Sequence, residues 1–226
     1  MKINYLGHSS FKISTKSLTG EEVTIIIDPF DPKMVGLPFP VQKADIVITS
    51  HQHPDHNFTA GIEGISGEDY FLIDTPGEYE VKGIRFECIQ SFHDESDGKE
   101  RGLNTITAID AENIRIAHLG DLGAPLSKDQ LESLDTVDIL MIPVGGFYTI
   151  GAKEAIEIIE SIEPSVVIPM HYKMPNAPEQ FKNLATLEDF IKEFGAEAET
   201  KKEYKINSRS DLPQNITVVP LEVNKT

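Results

Sequence analysis

The sequence predicts a layered α/β fold (α+β) in which two β-sheets carry helices on their outer faces. Short apolar runs rich in β-branched residues, each bounded by turn residues, dominate the first half of the chain. Helical patterns alternate with strands in the second half. Apolar residues make up 39% of the 226 residues, which is enough for a full core, and we expect residues 1–226 to form a single domain.

The predicted strands follow one another along the chain, and each ends near a glycine, a proline or a polar residue. They are Ile3–Leu6, Ser10–Ile13, Val23–Ile27, Ile46–Thr49, Tyr70–Ile73, Ile84–Ile89, Thr105–Ile109, Ile114–His118, Ile139–Ile142, Val166–Ile168 and Ile216–Leu221. Pro29 stops the third run, because proline cannot donate a hydrogen bond within a central strand. Continuous apolar runs of this kind are typical of largely buried strands.

Three segments have the pattern of amphipathic helices. Ser127–Leu134 begins with a serine three residues before a glutamine, which is the spacing of a capping box. Ala152–Ile162 places its isoleucines on one helical face and is ended by Pro164. Leu184–Phe194 is expected to end at Gly195, a residue that favours helix termini.

Charge and cysteine content exclude several classes of protein. Lys and Arg number 20 against 37 Asp and Glu, so the formal charge is −17 and phosphate backbones are repelled at long range. Cys88 is alone, which excludes an intrachain disulfide. The amino terminus lacks the apolar run of a signal peptide, and no run approaches the ~18 apolar residues of a membrane span. We expect a cytoplasmic protein that binds a small molecule, neither nucleic acid nor membrane, and that is compatible with homo-oligomers.

Six of the seven histidines lie at or just past the end of a predicted strand, where α/β folds place catalytic and ligand-binding residues. These six are His8, His51, His53, His93, His118 and His171. The sharpest signal is the hexapeptide HQHPDH at residues 51–56. His51 and His53 are two apart in a segment expected to be extended, so both side chains could bind one metal ion. Asp55 and His56, beyond the proline, could bind a second.

Each metal ion needs more ligands than this hexapeptide supplies, and His93, Asp121 and His171 are the candidates downstream. Neutral imidazole and carboxylate are the ligands expected for zinc, manganese or iron. We therefore expect two divalent metal ions, with zinc as the first candidate and manganese or iron as alternatives.

The pattern H-x-H-x-D-H, followed by a later His, Asp and His, resembles the signature of the metallo-β-lactamase superfamily. The chain is most similar to its small, lactonase-like branch of metal-dependent hydrolases, and the similarity extends from Lys2 to about Tyr172. It is carried also by LGHSS at 6–10, IDP at 27–29, TPGEY at 75–79, HLGD at 118–121 and IPMHY at 168–172. The resemblance implies an αββα sandwich with metal ions at one edge, between the sheets.

The resemblance also implies a role for each candidate ligand. The first metal site would consist of His51, His53 and His93, and the second of Asp55, His56 and His171, with Asp121 bridging both. A hydroxide between the ions would attack a small ester, lactone or phosphodiester. The residues expected to act in catalysis are Asp55, Asp121, His8 and Tyr148.

For several other polar residues, the sequence is compatible with two different roles. His8 would contact substrate at the rim of the site, or would be a turn histidine bonded to backbone. Tyr148 would bind substrate or cover the core. Arg101 and Asn104 would recognise a substrate anion, although an isolated arginine is more often a surface ion-pair partner.

Three further residues are candidates for supporting the site. Asp28 would orient the metal-binding loop by accepting backbone or imidazole hydrogen bonds, or would be a turn carboxylate. His118 is expected to be buried and structural. Asp94, next to His93, is equally compatible with a supporting and a surface position.

Two alternatives to hydrolysis remain. A member of this fold could bind metal as a scaffold without turnover, although a degenerate member would be expected to lose ligands first. A redox protein is the other alternative, but the superfamily's di-iron branch resembles this chain less, because it has Glu at the position of His53. The chain also lacks the inserted domain of the RNA-cleaving branch.

Overall fold

The computed structural model describes residues 1–224, apart from the side chain of Ser66. Its strands are β1 (Lys2–Gly7), β2 (Ser10–Lys16), β3 (Glu22–Ile27), β4 (Gln42–Ala44), β5 (Ile46–Ile48), β6 (Ile62–Gly64), β7 (Phe71–Ile73), β8 (Gly77–Val81), β9 (Ile84–Phe92), β10 (Leu103–Ala111), β11 (Ile114–His118), β12 (Ile139–Pro143), β13 (Val166–Met170), β14 (Tyr204–Lys205) and β15 (Thr217–Val218). Its helices are α1 (Pro32–Val35), α2 (Lys128–Leu134), α3 (Ala152–Ile162) and α4 (Leu187–Phe194). Single 3₁₀ turns occupy Thr59–Gly61, Ile65–Gly67, Glu179–Phe181 and Arg209–Asp211.

Two large sheets form the framework. The first has the strand order β14-β1-β2-β3-β5-β7 and the second β15-β13-β12-β11-β10-β9-β8, while β4 and β6 pair separately. In both sheets an antiparallel part continues into parallel strands, through β3 and β5 in one and β11 and β12 in the other. The predicted mixed α/β fold with two sheets is confirmed. None of the helices within residues 1–224 is long and apolar enough to cross a membrane.

Alternating residues of β3 show where the core lies. Ile25 and Ile27 belong to the main core between the sheets, whereas Ile26 joins a smaller cluster on the outer face. Val35 of α1 and Phe181 also belong to that smaller cluster. The outer face of the first sheet is therefore covered by a four-residue helix and connecting segments, while α3 packs on β12 of the second sheet and α4 packs on α3.

The helix predictions are confirmed with one shift of boundary. Helix α4 begins at Leu187, not at Leu184, because Thr186 is its N-cap and its Oγ1 accepts a hydrogen bond from the Asp189 amide at 3.2 Å. Leu184 is instead buried in the outer cluster. Gly195 ends the helix as predicted, with φ of 74°.

Two strand predictions are wrong in extent. Strand β8 was not among the predicted strands, because its largely exposed residues lack the apolar run that predicts a buried strand. The predicted last strand Ile216–Leu221 shrinks to Thr217–Val218. Pro220 follows closely, and proline has no amide hydrogen with which to extend the ladder.

The topology directs six strand ends to one edge of the sandwich. Strands β1, β3 and β5 run in the same direction, because β1 and β3 are both antiparallel to β2 and β5 is parallel to β3. Strands β9, β11 and β13 likewise share a direction. The segments that follow these six carboxyl ends carry His8, Asp28, residues 51–56, His93, Asp121 and His171.

Replacement of Phe11 by alanine tests the core that joins the two sheets. Phe11 of β2 is fully buried, with its ring centroid 5.0 Å from that of Tyr5 and 5.8 Å from that of His118. We expect Phe11→Ala to lower the free energy of unfolding by about 3–5 kcal/mol in denaturant titrations, since it leaves a cavity. The matched control is Phe71→Ala, in which a side chain that is 46% exposed is removed at a cost of less than about 1 kcal/mol. Equal losses for the two variants would contradict this assignment of the core.

Candidate metal centre

The buried carboxylate of Asp121 lies where the candidate ligands meet. Its Oδ2 atom is 3.1 Å from Nε2 of His56, 3.2 Å from Nε2 of His171 and 3.4 Å from Nε2 of His93. Asp121 follows β11 in a turn, and the three histidines come from two different sheets. One carboxylate oxygen therefore contacts imidazoles from both of the predicted metal sites.

Two sets of three histidines flank Asp121, and the ligand atoms within each set lie within 4.8 Å of one another. The sets are His51 with His53 and His93, and His8 with His56 and His171. The first set has the same members as the predicted first metal site. In the second set His8 joins the group, and Asp55 stands beside it with its Oδ2 atom 3.2 Å from Nε2 of His8 and 3.8 Å from Nε2 of His56.

The segment from His51 to His53 was predicted to be extended, and this is wrong, because the chain bends there and then turns at residues 54–56. The amide of His56 donates to the carbonyl of His53 at 2.9 Å, so Pro54 and Asp55 lie within a tight turn. The rings of His51 and His53 nevertheless meet, with 3.0 Å between Nε2 of the first and Nδ1 of the second. The two side chains thus approach each other across a bend and not through alternation along a strand.

Asp28 anchors this turn through both of its carboxylate oxygens. Oδ1 accepts a hydrogen bond from the Ser50 amide at 2.7 Å, while Oδ2 accepts from the Ser50 hydroxyl at 2.7 Å and from Nδ1 of His56 at 2.9 Å. Asp28 is fully buried. The structure thus matches the orienting interpretation of Asp28 and not that of a simple turn carboxylate.

These hydrogen bonds determine which nitrogen of two histidines carries the proton. The Ser50 hydroxyl has one hydrogen and gives it to Asp28, so Nδ1 of His51, 2.9 Å from that hydroxyl, must be the donor. Nδ1 of His56 donates to Asp28 directly. When either ring is neutral, its Nε2 atom therefore keeps a lone pair, which is the form that binds a metal ion.

The buried groups of the centre shift one another's pKa values. Burial would raise the pKa of Asp121, but His171 and His56 hold it well below its usual value. Burial would lower the pKa of His56, but Asp121, followed by Asp28, raises it well above its usual value. Burial, reinforced by His56, lowers the pKa of His51 to about 3. A divalent cation would satisfy the same negative charge that otherwise draws a proton onto His56.

Several buried polar atoms of the centre have no hydrogen-bond partner among residues 1–224. They are Oδ1 of Asp55, Nε2 of His56, and Nδ1 of His93 and of His171. Leaving a buried polar atom unpaired costs about 1–3 kcal/mol, so such atoms need another partner. Imidazole nitrogens and carboxylate oxygens are ligands of zinc, manganese and iron. The donor set therefore fits divalent metal ions.

Three residues at this edge have left-handed backbone conformations that are unfavourable for side chains other than glycine. They are His8, Asp28 and His171, with φ of 56°, 46° and 51°. The His171 amide and the Tyr5 hydroxyl both donate to the carbonyl of His8, at 2.8 and 2.7 Å. These bonds hold the turns against a strain of about 1–3 kcal/mol per residue, of the kind found at functional sites.

Asn104 supports Asp121 and does not face a substrate, so its predicted role in anion recognition is wrong. Its side chain is fully buried. Its Oδ1 atom accepts from the Asp121 amide at 2.9 Å, and its Nδ2 atom donates to the carbonyl of Leu119 at 2.9 Å and to the hydroxyl of Ser91 at 2.7 Å. The contacts with Asp121 and Leu119 brace the turn that carries this carboxylate, and the contact with Ser91 ties Asn104 to β9.

His8 lies deeper than the rim position expected for it. Its side chain is buried, contacts Asp55, and packs with its ring centroid 5.0 Å from that of Phe181. Burial, followed by the nearby His171, lowers its pKa to about 4. The geometry favours a role in positioning Asp55 over direct contact with a substrate.

His118 is structural, as expected. Its Nε2 atom lies 2.9 Å from the Ser9 carbonyl and its Nδ1 atom accepts from the Gly120 amide at 3.1 Å. Nε2 must therefore be the protonated nitrogen, and neither ring nitrogen is left for a metal ion.

Asp94 is buried, and its carboxylate accepts hydrogen bonds from four backbone amides. The donors are the amides of Ser96, Gly98, Glu100 and Arg101.

A cavity of about 310 Å³ opens over the metal-binding residues. Its walls are formed by His53, Asp55, His93, Asp121 and His171, together with Met34, Pro54, Arg101, Tyr148, Gln180 and Phe181. Tyr148 lines the cavity, but its hydroxyl donates to the carbonyl of Gln180 at 2.9 Å. The ring of Tyr148, more than its hydroxyl, is thus the part available to a ligand.

Several residues that build the site were not predicted from the sequence. Ser50 connects His51 to Asp28, and its position directly before the hexapeptide was the only signal for this role. Ser9 donates to Oδ1 of Asp121 at 3.4 Å. Gln180 and Phe181 line the cavity from a 3₁₀ turn that lies outside every motif of the sequence. No sequence pattern predicted that they would lie there.

Comparison with known proteins agrees with this architecture. The family described as "Beta-lactamase superfamily domain" matches residues 2–171. A protein of Staphylothermus marinus named UPF0173 metal-dependent hydrolase is 31% identical over 208 residues, covering 80% of this chain and 90% of that protein.

Solved structures have the same fold. A metallo-beta-lactamase superfamily protein of Thermotoga maritima, named as a candidate Zn-dependent hydrolase, superposes with a TM-score of 0.77 at 35% identity, covering 99% of both chains. Igni18, a metallo hydrolase of Ignicoccus hospitalis, superposes with a TM-score of 0.62 at 20% identity, covering 96% of this chain and 94% of that one.

The two-sheet fold with a histidine and aspartate cluster at one edge therefore defines a metallo-β-lactamase superfamily protein. Within that superfamily, the chain belongs to the UPF0173 metal-dependent hydrolases. The predicted superfamily and the predicted hydrolase class are both confirmed.

Replacement of Asp28 by asparagine tests the control of imidazole orientation. The amide group of asparagine would face Nδ1 of His56 as a second donor, which favours the wrong tautomer. We expect Asp28→Asn to weaken zinc binding by about 10–100-fold in competition with a chromophoric chelator. Asp69→Asn, at an exposed carboxylate, is the control and should bind zinc as the unmodified chain does. Unchanged zinc affinity in Asp28→Asn would show that the relay does not orient the ligands.

Replacement of Asn104 by alanine tests the support of the Asp121 turn. The variant leaves the Asp121 amide and the Leu119 carbonyl buried without partners. We expect the free energy of unfolding to fall by at least about 1–3 kcal/mol in denaturant titrations. The exposed Asn183→Ala control should change it by less than about 0.5 kcal/mol. A loss no larger than that of the control would mean that water replaces the amide.

Proposed function

We propose that this chain is a dinuclear metal-dependent hydrolase that acts on a small ester, lactone or phosphodiester. The observation that carries the proposal is the position of the Asp121 carboxylate, within 3.4 Å of imidazoles from both histidine sets. A carboxylate in that place can be shared by two cations. Zinc is the first candidate for both, and manganese or iron would suit the same ligands.

The proposed ligands of each ion follow from these contacts. His51, His53 and His93 would hold one ion, while Asp55, His56 and His171 would hold the other, with Asp121 shared between them. When bound, the two ions supply Lewis acidity, which polarises the group to be cleaved and makes water acidic enough to react near neutral pH. Both sheets contribute ligands, which supports a single domain as the functional unit.

The residues around the proposed ligands position them and form the cavity wall, and they take no part in bond cleavage. His8 contacts Oδ2 of Asp55 at 3.2 Å, so we assign it a positioning role toward that carboxylate. Tyr148 and Phe181, together with Met34 and Pro54, form the apolar part of the wall. The cavity walls, as far as the described residues form them, contain no serine, threonine or cysteine that could act as a nucleophile. This favours attack by water.

The cavity volume supports a small substrate. About 310 Å³ lies at the lower end of the range for small-molecule sites. The formal charge of −17 disfavours long nucleic acids as substrates. These two observations together support a small molecule.

Metal content and turnover test the proposal together. Protein dialysed against zinc is expected to retain two ions per chain by elemental analysis, and Asp121→Asn is expected to lose at least one. The loaded protein should hydrolyse at least one member of a panel consisting of 4-nitrophenyl acetate, dihydrocoumarin and bis(4-nitrophenyl) phosphate. A single ion in the unmodified chain would overturn the dinuclear site. Two ions without turnover would favour a scaffold, and absorption of bound iron with oxygen consumption would favour a redox protein.

Chelation should also destabilise the fold, because metal ions bind the folded chain. With free zinc at about 100 times its dissociation constant, the ions contribute about 2.7 kcal/mol per site. We expect a chelator to lower the melting temperature of the zinc-loaded protein by about 5–10 °C per site. In Asp121→Asn the shift should be smaller, while Asp69→Asn should respond as the unmodified chain does. An identical melting temperature with and without chelator would contradict metal binding by the folded chain.

A further inference from the structure

Arg101 is the cationic side chain in the wall of the cavity over the metal-binding residues. It also lines a second cavity of about 400 Å³, on the far side of His53. Arg101 and His53 are the residues that the two cavities share. In a chain with 37 acidic and 20 basic residues, a cation at this boundary is a local exception to the surrounding charge.

The backbone of Arg101 is held firmly. Its amide donates to Oδ2 of Asp94 at 2.7 Å, one of four amides that this carboxylate collects from residues 96–101. Burial would raise the pKa of Asp94, but the four donors, led by Arg101, lower it to about 2. The Gly102 carbonyl, next along the chain, accepts from the amide of His93 at 3.1 Å. The loop that carries Arg101 is therefore tied to a candidate metal ligand.

The guanidinium group of Arg101, in contrast, has no close acidic partner within residues 1–224. The nearest carboxylate is that of Glu100, 4.0 Å away and itself largely exposed. Arg115 shows the usual arrangement in this chain, with Glu87 and Asp110 at 2.6 and 2.8 Å. The donor capacity of Arg101 is thus left free at the mouth of the site.

Tyr148 provides a platform for this free group. The Cζ atom of Arg101 lies 5.8 Å from the centroid of the Tyr148 ring, within the range of a cation–π contact. The hydroxyl of Tyr148 is bonded to the Gln180 carbonyl, which fixes the ring. A guanidinium held by one face keeps its in-plane N–H groups for a ligand, and their geometry matches a carboxylate or a phosphate.

We propose that Arg101 binds an oxyanion, a carboxylate or a phosphate, on the substrate, so that the preferred substrates of this site are small anionic esters or lactones. The inference rests on the proposed hydrolase function and specifies its substrate class. Arg101 orients the anionic end of the substrate, while the bond to be cleaved lies over Asp121.

A pair of matched esters tests this inference. We compare 4-nitrophenyl hexanoate with the 4-nitrophenyl monoester of adipic acid, which has a carboxylate in place of the terminal methyl group. The zinc-loaded protein should prefer the adipate ester. Arg101→Gln should lower kcat/KM for that ester about 10–100-fold, mainly through KM, as expected for loss of a hydrogen bond between charged groups. The value for the hexanoate ester should change less than threefold.

Two further variants distinguish the effects of the charge and of the hydrogen-bond geometry of Arg101 from a general loss of protein integrity. Arg101→Lys keeps the charge but not the paired N–H groups, and should recover only part of the loss. Arg85→Gln removes an exposed arginine that lines neither of these two cavities, and should behave as the unmodified protein. Equal losses on both esters in Arg101→Gln, or no loss on either, would overturn the inference.

Binding of adipate itself provides a readout that does not depend on turnover. In calorimetric titrations of the zinc-loaded protein, Arg101→Gln should bind adipate at least tenfold more weakly than the unmodified chain and Arg85→Gln. Equal binding in all three would overturn the role of Arg101. If the loaded protein cleaves neither ester, the proposed hydrolase activity toward esters fails, but this titration still decides whether Arg101 binds an oxyanion.

Discussion

The Asp28 carboxylate is the interaction on which the rest of the metal centre depends. It lies in a left-handed turn at the end of β3 and collects the amide and hydroxyl of Ser50 together with Nδ1 of His56. Through Ser50 it also sets the protonation of His51. One buried charge thus holds the turn of residues 51–56 against the first sheet and orients the rings of His51 and His56 so that Nδ1 carries the hydrogen in each. Without it, the ligands would be present but free to rotate or to change tautomer.

The second sheet contributes Asp121 to the centre, and Asn104 of β10 holds the turn of Asp121 by accepting a hydrogen bond from its amide. Burial of so many imidazoles and carboxylates at one edge is unfavourable unless their charges are compensated. Their pKa shifts, in opposite directions, reflect that conflict, and a metal ion would relieve it by binding atoms that otherwise lack partners. A metal ion bound there would place positive charge inside an acidic protein. Together with Arg101, it would make the cavity a local exception to the negative charge of the chain.

Much of the fold and of the ligand set could be predicted from the chain because both are encoded locally. Apolar runs of four to six residues predicted most of the strands, and the serine of the capping box predicted the start of α2. The spacing H-x-H-x-D-H predicted that His51 and His53 lie together, and the family resemblance added His93 to this set. Prediction failed where structure depends on partners distant in sequence. Strand β8 exists because β9 offers it an edge, and the segment at 51–53 bends because Asp28 and the turn at Pro54 hold it.

The sequence by itself determined which residues are available as metal ligands and that they follow strand ends, since both depend on residue type and short spacing. Only the tertiary structure decided what the remaining polar residues do. Asn104, expected to face a substrate, is buried under Asp121, and His8 lies behind Asp55 instead of at the rim. Arg101 keeps its guanidinium free beside Tyr148. The reason is physical: whether a polar side chain binds a ligand or the protein depends on which groups the fold places within about 3 Å of it, and hydrogen-bond partners at that range come from segments far away in the chain.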